Sequence, residues 1–370
     1  MNHFPTDLPS IESRIQAIDP VRYASSRNYK EGAVTRLSPY ISRGVISTKQ
    51  VFEYIKTLDL KWYQTEKLIQ ELAWRDYWQQ VWIAKGEGIN QDLKQEQAPI
   101  SNHQIPSAIL NAETGINAVD LAIKELYKTG YMHNHMRMYV ASICCNIAKS
   151  HWLQPAQWMY SHLLDGDLAS NQLSWQWVAG AFSSKKYVAN QWNINTYFDD
   201  NQKGTFLDVE YEEFENMQIP SQLLDTSPFH LETILPSLDD LKVAMNKTTL
   251  IYNYYNIDPY WHQDEDVQRI FLLEPSFFKK NPVSQKCLDF ALDLTRNIQG
   301  IQLFVGEFSE LMELINSEQI IYKEHPTNRH FLGKEESREW MSSAKGYFPS
   351  FFAFWKKCKK EIKYESDKEK

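Results

Sequence analysis

Residues 129–138 read T-G-Y-M-H-N-H-M-R-M, and residues 164–177 read L-D-G-D-L-A-S-N-Q-L-S-W-Q-W. Apolar residues at three- and four-residue spacing predict a helix in both segments. Asn134, Arg137 and Met138 then share one helix face, because positions i, i+3 and i+4 are neighbours on a helix surface. The first segment is therefore predicted to group an amide, a guanidinium and a thioether.

The second segment is predicted to carry a similar face. Asp167, Asn171 and Trp175 follow one another at every fourth residue, which would align a carboxylate, an amide and an indole. Polar groups in a segment apolar enough to be buried are costly unless they have partners. A polar ligand would supply those partners, although each residue taken alone is an ordinary capping, turn or core residue.

The two segments together resemble the flavin-binding helical domain of DNA photolyases and cryptochromes. The shared pattern is T-G-x-M-H-N-x-x-R-M, followed by D-G-D-L-A-x-N-x-x-x-W-Q-W. This resemblance implies FAD as the cofactor. It also implies that the substrate is damaged DNA with a cyclobutane pyrimidine dimer, which an electron from excited reduced flavin splits.

The composition is that of a globular protein with room for two domains. The 370 residues are 43% hydrophobic and 14% aromatic, with a net charge of −8. No run of about 18 apolar residues occurs, so we expect no membrane span. The spacing of the cysteines fits neither a zinc site nor an iron–sulfur cluster. We therefore expect no metal, and reduced thiols in a cytoplasmic protein. We also expect a monomer.

Charge is distributed unevenly along the chain. Residues 1–205 carry 20 Lys and Arg against 19 Asp and Glu, which leaves 19 against 28 for the remainder. A net acidic protein is not expected to coat nucleic acid. It can still bind a few phosphates through a local basic patch.

A change of periodicity predicts the domain organisation. Residues 1–205 read as helices, residues 206–245 as an acidic linker with prolines, and residues 246–370 as alternating strands and helices. The predicted fold class is an all-α FAD-binding helical domain followed by a smaller α/β domain with a doubly wound parallel sheet. We expect strands at 249–254, 269–273, 301–305 and 320–322, and helices in that domain at 284–297, 308–315 and 335–342.

The α/β segment is similar to the antenna domain of the same family, which usually comes first in the chain. F-L-L-E-P-S-F-F-K-K-N-P-V-S-Q-K-C-L-D-F-A-L-D-L, followed by I-Q-L-F-V-G-E-F, resembles the second strand, the helix and the third strand of that domain. We therefore expect the two domains in swapped order, with an unrelated doubly wound domain as the alternative. The antenna pigment is unknown, because Y-Y-N-I-D-P replaces the family's R-R-D-L-R signature.

The resemblance implies which residues bind FAD. Asp165 is expected to pair with Arg137, Asp167 to face the N3 edge of the flavin, and Asn171 to face N5. An asparagine at N5 is typical of photolyases, because an amide bonds reduced flavin without adding charge. The loop T-R-L-S-P-Y at residues 35–40, at the start of a predicted helix, is similar to the family's phosphate-contacting loop. The full cofactor-binding set is Tyr23, Thr35, Arg36, Leu37, Ser38, Arg75, Asn134, Arg137, Asp165, Asp167 and Asn171.

The run Q-E-L-A-W-R-D-Y-W at residues 70–78 places rings and ions on one helix face. A core stripe would prefer leucine to glutamate and arginine. Extracted bases need a flat apolar wall and a hydrogen-bond partner for their edges. By resemblance, the residues that bind the pyrimidine pair are Glu71, Trp74, Met138 and Trp177.

Trp175 and Trp152 match the first two members of the tryptophan chain that passes electrons to the flavin in this family. The third position falls near Pro99, which cannot serve, and Trp158 or Tyr160 is the alternative exit. The predicted catalytic set is Glu71, Trp74, Asn171, Trp175 and Trp152.

Three functions remain open from the sequence. A light-driven lyase is favoured by the complete set of substrate residues. A cryptochrome-like sensor that signals through a partner is favoured by the missing distal tryptophan and the acidic second domain. It is also favoured by departures from the family pattern at residues 114–117 and 183–193. A protein that binds flavin only as a structural relic is the third possibility.

Overall fold

The computed structural model describes residues 4–183, 185–237, 241–242, 244, 247–315 and 320–363. Its contacts divide the chain into two compact units that alternate along the sequence. The first unit comprises Met1–Pro20, Thr35–Ala84 and Leu231–Lys370, and the second unit comprises Val21–Val34 and Lys85–His230.

Helices are the main regular structure of the described residues up to 205, as predicted, although Ile105–Pro106 form a short strand. The helices up to that point are α1 (Leu8–Gln16), α2 (Pro20–Ser26), α3 (Ser38–Ser42), α4 (Thr48–Thr57), α5 (Trp62–Lys85), α6 (Ser107–Asn111), α7 (Asn117–Thr129), α8 (Asn134–Ser142), α9 (Leu153–His162), α10 (Leu168–Ala179) and α11 (Gln191–Phe198). The helices of the later part are α12 (Pro275–Lys280), α13 (Gln285–Thr295), α14 (Phe308–Leu314) and α15 (Phe351–Ile362). None of the described helices is long and apolar enough to cross a bilayer.

The strands fall into two sheets. They are β1 (Ile105–Pro106), β2 (Thr226–Ser227), β3 (Thr249–Tyr252), β4 (Gln268–Leu273), β5 (Ile301–Val305), β6 (Ile320–Lys323) and β7 (Lys334–Glu336). The first two form a short antiparallel pair in the second unit. The other five form a parallel sheet in the order β5-β4-β3-β6-β7, so the predicted doubly wound α/β fold is confirmed.

Burial explains why β3 and β4 are strands. Every residue of both is buried, which is the pattern of a parallel sheet covered on two faces. Ile251 of β3 packs with Ile270 and Leu272 of β4 in one apolar cluster. The strand order reverses between β3 and β6, and such a switch point is where doubly wound sheets usually bind ligands.

The helices of the second unit pack around a core rich in rings and small residues. Helix α10 begins where Asp167 accepts the N–H of Ser170 at 2.7 Å, and it ends at Gly180, whose φ is +83°. Helix α8 passes into a π-helical turn at Ile143–Ile147.

The predicted helix at 335–342 is wrong. Residues Lys334–Glu336 form β7 instead, and the segment after it is irregular. The N–H of Glu324 donates to the carbonyl oxygen of Glu336 at 2.7 Å, so the sheet edge takes backbone groups that a helix would need. Pairing with an open strand edge outweighs weak helix propensity.

The predicted domain boundaries, 1–205, 206–245 and 246–370, remain a prediction. The compact units divide the chain differently, because residues 35–84 group with the α/β part. The predicted linker contains 3-10 turns at Tyr211–Asn216 and Ser221–Leu223. Parts of these predictions fall on residues 1–3, 184, 238–240, 243, 245–246, 316–319 and 364–370, which lie outside the described residues.

Gly44→Ala is expected to destabilise the protein more than Gly115→Ala. Both glycines have left-handed backbone, with φ of +67° and +78°, where a side chain costs about 1–2 kcal/mol. A Cβ on Gly44 would also lie 2.5 Å from the carbonyl oxygen of Tyr255, whereas a Cβ on Gly115 would meet no atom within 4 Å. We expect Gly44→Ala to lose about 1–3 kcal/mol more in urea denaturation. Equal losses would contradict this packing.

Candidate functional site

An ion pair in the second unit joins the start of α8 to the loop that leads into α10. One guanidinium nitrogen of Arg137 donates to both carboxylate oxygens of Asp165, at 3.0 Å each. The Nε of Arg137 donates to the carbonyl oxygen of Met132 at 2.8 Å. The Asp165 side chain is 5% exposed, so this charge is compensated inside the protein and not by water.

The rest of that face of α8 is open. Asn134 is exposed, and Met138 is half-buried. The Asn134 side chain has no hydrogen-bond partner among the described residues. Met138 packs against the apolar core of the unit, so its thioether is only partly accessible, whereas the amide of Asn134 is available to a ligand.

Helix α10 holds Asn171 in one orientation. Its amide nitrogen donates to the carbonyl oxygen of Ala156 and to Oε1 of Gln172, both at 2.8 Å. Both N–H groups are therefore used. Within the described part of the chain, Oδ1 of Asn171 meets no donor, although the residue is buried. This side chain can offer a ligand only an acceptor oxygen.

The two tryptophans of the predicted electron chain lie in the same core but differ in their indole contacts. Trp152 is completely buried, and its N–H donates to Oδ1 of Asp92 at 2.6 Å. Trp175 is also buried, but its N–H finds no acceptor among the residues described. The alternative exit residues are enclosed too, and the N–H of Trp158 donates to the Tyr127 hydroxyl at 2.9 Å.

Trp177 occupies the last turn of α10 and is 37% exposed. Its ring centroid lies 6.1 Å from that of Tyr187. An exposed tryptophan is a suitable platform for base stacking. Tyr23, on α2 of the same unit, is half-buried.

In the first unit, α5 carries the other substrate candidates. The ring of Trp74 stacks on Phe351, the first residue of α15, with centroids 3.7 Å apart and planes 8° apart. Glu71 is ion-paired with Lys67 at 2.9 Å. One face of Trp74 is therefore covered by the chain itself, and Glu71 already has a cationic partner.

The predicted phosphate loop lies in the same unit, next to Arg75. Arg75 donates to the hydroxyl of Ser42 at 2.8 Å, which places it beside α3. Leu37 is 2% exposed, so its side chain belongs to the core and only its backbone could contact a ligand. Arg36 is exposed, with a left-handed φ of +53°.

The predicted site residues are thus divided between the two units. Those in the first unit are Thr35, Arg36, Leu37, Ser38, Glu71, Trp74 and Arg75. Those in the second unit are Tyr23, Asn134, Arg137, Met138, Trp152, Asp165, Asp167, Asn171, Trp175 and Trp177.

The switch point of the sheet is filled by side chains. Asn253, after β3, donates to Asn328 at 2.7 Å, and the ring of His325 stacks on Tyr255 at 4.5 Å. The Arg43 guanidinium lies 3.7 Å from the ring centroid of Tyr254. Burial, with the nearby Arg338 and Arg43 charges, holds the pKa of His325 well below its usual value. A neutral imidazole is therefore part of this packing.

Two contacts, that of Asp92 with Trp152 and that of Phe351 with Trp74, were not predicted from the sequence. Asp92 lies in an irregular segment that matches no motif, and its contact with Trp152 spans 60 residues. Phe351 belongs to the aromatic run Y-F-P-S-F-F-A-F-W at residues 347–355, in which no motif indicates a contact with Trp74. Neither the period of the sequence nor a motif carries a signal for these long-range contacts.

Comparison with known proteins gives one consistent result. Residues 68–218 match the family model described as the FAD binding domain of DNA photolyase. A deoxyribodipyrimidine photo-lyase of Halobacterium salinarum is 30% identical over 171 residues, which are 44% of this chain and 36% of that protein. A cryptochrome DASH of Gloeobacter violaceus is 30% identical over 166 residues, which are 43% of this chain and 33% of that protein.

A solved structure, that of a Synechocystis cryptochrome, overlaps 53% of this chain and 44% of its own, with 26% identity and a TM-score of 0.49. The chain spans about a third of the length of the curated relatives that it matches.

Phe351→Ala is expected to destabilise the first unit strongly, whereas Phe352→Ala is not. Phe351 is buried against Trp74, and removal of such a ring typically costs about 3–5 kcal/mol. Phe352 is 68% exposed, so its truncation should change stability by less than about 0.5 kcal/mol. Urea denaturation followed by tryptophan fluorescence would measure both changes. Similar losses for the two variants would contradict the stacked contact.

Proposed function

Because residues 68–218 match the FAD binding domain of DNA photolyase, we propose that this chain is a photolyase-like enzyme. It would split cyclobutane pyrimidine dimers in damaged DNA under blue light. The observation that carries this proposal is the fixed orientation of Asn171. Its amide presents an oxygen acceptor at a buried position, next to helices that the family uses for flavin.

The second unit offers groups that suit FAD. A reduced flavin carries an N–H at N5, and the Asn171 oxygen is an unused acceptor for such a donor. Asp165 and Arg137 add a compensated pair of charges, and Asn134 adds an accessible amide. The flavin, when bound, supplies light-driven one-electron chemistry.

The residues proposed to hold FAD are Tyr23, Thr35, Arg36, Leu37, Ser38, Arg75, Asn134, Arg137, Asp165, Asp167 and Asn171. Tyr23 and the loop from Thr35 to Ser38 precede the segment that matches the family model, so their role rests on the sequence pattern alone.

The substrate role is assigned to Glu71, Trp74, Met138 and Trp177. Trp177 is exposed enough to stack on a base, and Met138 is accessible on α8. Glu71 would accept hydrogen bonds from the base edges, in exchange for its ion pair with Lys67. Trp74 would stack on a base, although Phe351 already covers one face of its ring.

Electrons would reach the flavin through buried tryptophans. We assign Trp175 and Trp152 to this path, since both lie in the core of the second unit. The pathway keeps the cofactor reduced and requires no side chain to act as a general acid or base in the cleavage itself.

The alternative function is a cryptochrome-like photoreceptor that signals through a partner. The covered face of Trp74 favours it, because a base cannot stack there without displacement of Phe351. Relatives named cryptochrome DASH occur beside those named photo-lyase. This alternative predicts a light-dependent change in oligomeric state or partner binding without loss of dimers.

Trp177→Ala is expected to abolish most of the dimer repair. The reduced, FAD-loaded protein would be illuminated with blue light in the presence of a dimer-containing oligonucleotide, and the remaining dimers would be counted. Trp192→Ala is the control, because Trp192 is 68% exposed on α11 and has no assigned role. Repair that is absent from the unmodified protein would favour the photoreceptor, and equal repair by both variants would remove Trp177 from the site.

Asn171→Leu is expected to retain FAD but to lose its reduced state several-fold faster in the dark. Leucine fills a similar volume without the acceptor oxygen that the flavin N–H would use. The rate of reoxidation in air, followed by absorbance after photoreduction, would report the change. Asn201→Leu serves as the control, since Asn201 is exposed. An unchanged rate in Asn171→Leu would contradict the assigned orientation.

A further inference from the structure

The surroundings of Trp152 differ from those of the other buried tryptophans in its core. We propose that Asp92 is the proton acceptor of Trp152, and that Trp152 is the last member of a two-tryptophan electron chain. This inference rests on the proposed function, because it requires light-driven electron transfer to a flavin. Asp92 belongs to no motif of the sequence. With Asp92 as the proton acceptor, the electron chain needs no third tryptophan.

The geometry places the donor and the acceptor in a fixed hydrogen bond. The indole nitrogen of Trp152 lies 2.6 Å from Oδ1 of Asp92. The other carboxylate oxygen accepts the N–H of Gln97 at 2.7 Å. The backbone N–H of Trp152 donates in turn to Oε1 of Gln97 at 2.9 Å. The indole and the carboxylate are therefore held together by two independent connections.

The other two tryptophans of this core have no comparable base. The Trp175 N–H has no acceptor among the described residues. The Trp158 N–H meets the hydroxyl of Tyr127, which itself donates to the carbonyl oxygen of Leu110 at 2.8 Å. A neutral phenol oxygen is a much weaker base than a carboxylate. Of these three indoles, Trp152 can most readily lose its proton.

A route leads from the carboxylate to the surface. Oδ1 of Asp92 lies 3.4 Å from Nε2 of His151, and the His151 ring stacks on His103, with centroids 5.0 Å apart. His103 is exposed. Burial lowers the pKa of His151, while the Asp92 charge opposes that shift. The Asp92 side chain is itself 17% exposed, so the carboxyl can release the proton directly to water.

Trp152 loses one electron and then one proton. With FAD bound, Trp175 would give one electron to the light-excited oxidised flavin, and Trp152 would replace that electron. The indole N–H bond of Trp152 then breaks, an O–H bond forms on Asp92, and a neutral tryptophan radical remains. A thiol in solution regenerates Trp152 by supplying one electron and one proton. Return of the electron from the flavin is slowed, because the radical must regain its proton first.

The test compares variants by flash photolysis of the FAD-loaded full chain. Asp92→Asn keeps an oxygen that accepts the indole N–H but cannot hold the proton. We expect the neutral radical spectrum to be replaced by that of the cation, and the radical lifetime to fall several-fold. Asp92→Glu should restore the neutral radical. Glu96→Gln is the matched control, since Glu96 is an exposed carboxylate in the same segment and should leave the signal unchanged.

A second measurement separates proton transfer from packing. In flavin-free protein, the indole N–H resonance of Trp152 should show that the hydrogen bond persists in Asp92→Asn. Deprotonation should slow in D₂O in the unmodified protein, and this solvent effect should vanish in Asp92→Asn. A role limited to packing would change neither the radical spectrum nor the solvent effect while that hydrogen bond persists.

The outcomes are distinct from those that test the proposed function. A long-lived neutral radical that persists in Asp92→Asn overturns this proposal and leaves the proposed function standing. A long-lived neutral tryptophan radical that still forms in Trp152→Phe also overturns it. The absence of any tryptophan radical in the unmodified protein overturns this proposal and the electron path assigned to Trp175 and Trp152, but not the dimer repair by reduced flavin. Normal radical chemistry without dimer repair supports Asp92 as the acceptor and overturns only the repair activity.

Discussion

The compensated charge pair of Arg137 and Asp165 is the constraint on which the second unit depends. Asp165 is almost completely buried, and a buried carboxylate without its cation would be strongly destabilising. The pair fixes the loop before α10, and two residues later Asp167 caps that helix. Once α10 is placed, Asn171 and Trp175 follow at successive turns. The positions of Asn171 and Trp175 therefore depend on this ion pair.

The same unit uses hydrogen bonds inside the chain to decide what a ligand can meet. Both amide N–H groups of Asn171 donate to neighbouring groups, and only its oxygen remains for a ligand. The indole N–H of Trp152 donates to Asp92, whereas the indole N–H of Trp175 has no acceptor among the described residues. Each polar atom is thus given one chemical role by its surroundings. Residue identity alone would have allowed several roles.

Periodicity and local motifs were sufficient to predict much of the architecture. The faces that carry Asn134 and Arg137, and then Asp167 and Asn171, follow from helical spacing, and buried apolar runs identify β3 and β4. The failed helix at 335–342 shows the limit, since an edge strand was decided by pairing with a distant neighbour. Phe351 on Trp74 and Asp92 on Trp152 are contacts of the same kind. Tertiary contacts between distant segments leave no period in the sequence.

The most direct test of this account is an absorption spectrum of the purified chain after incubation with FAD and gel filtration. We predict that about one oxidised flavin per chain stays bound, and that blue light with a thiol reduces it. A chain that retains no flavin while it remains folded would contradict the central claim that these helices form a flavin site.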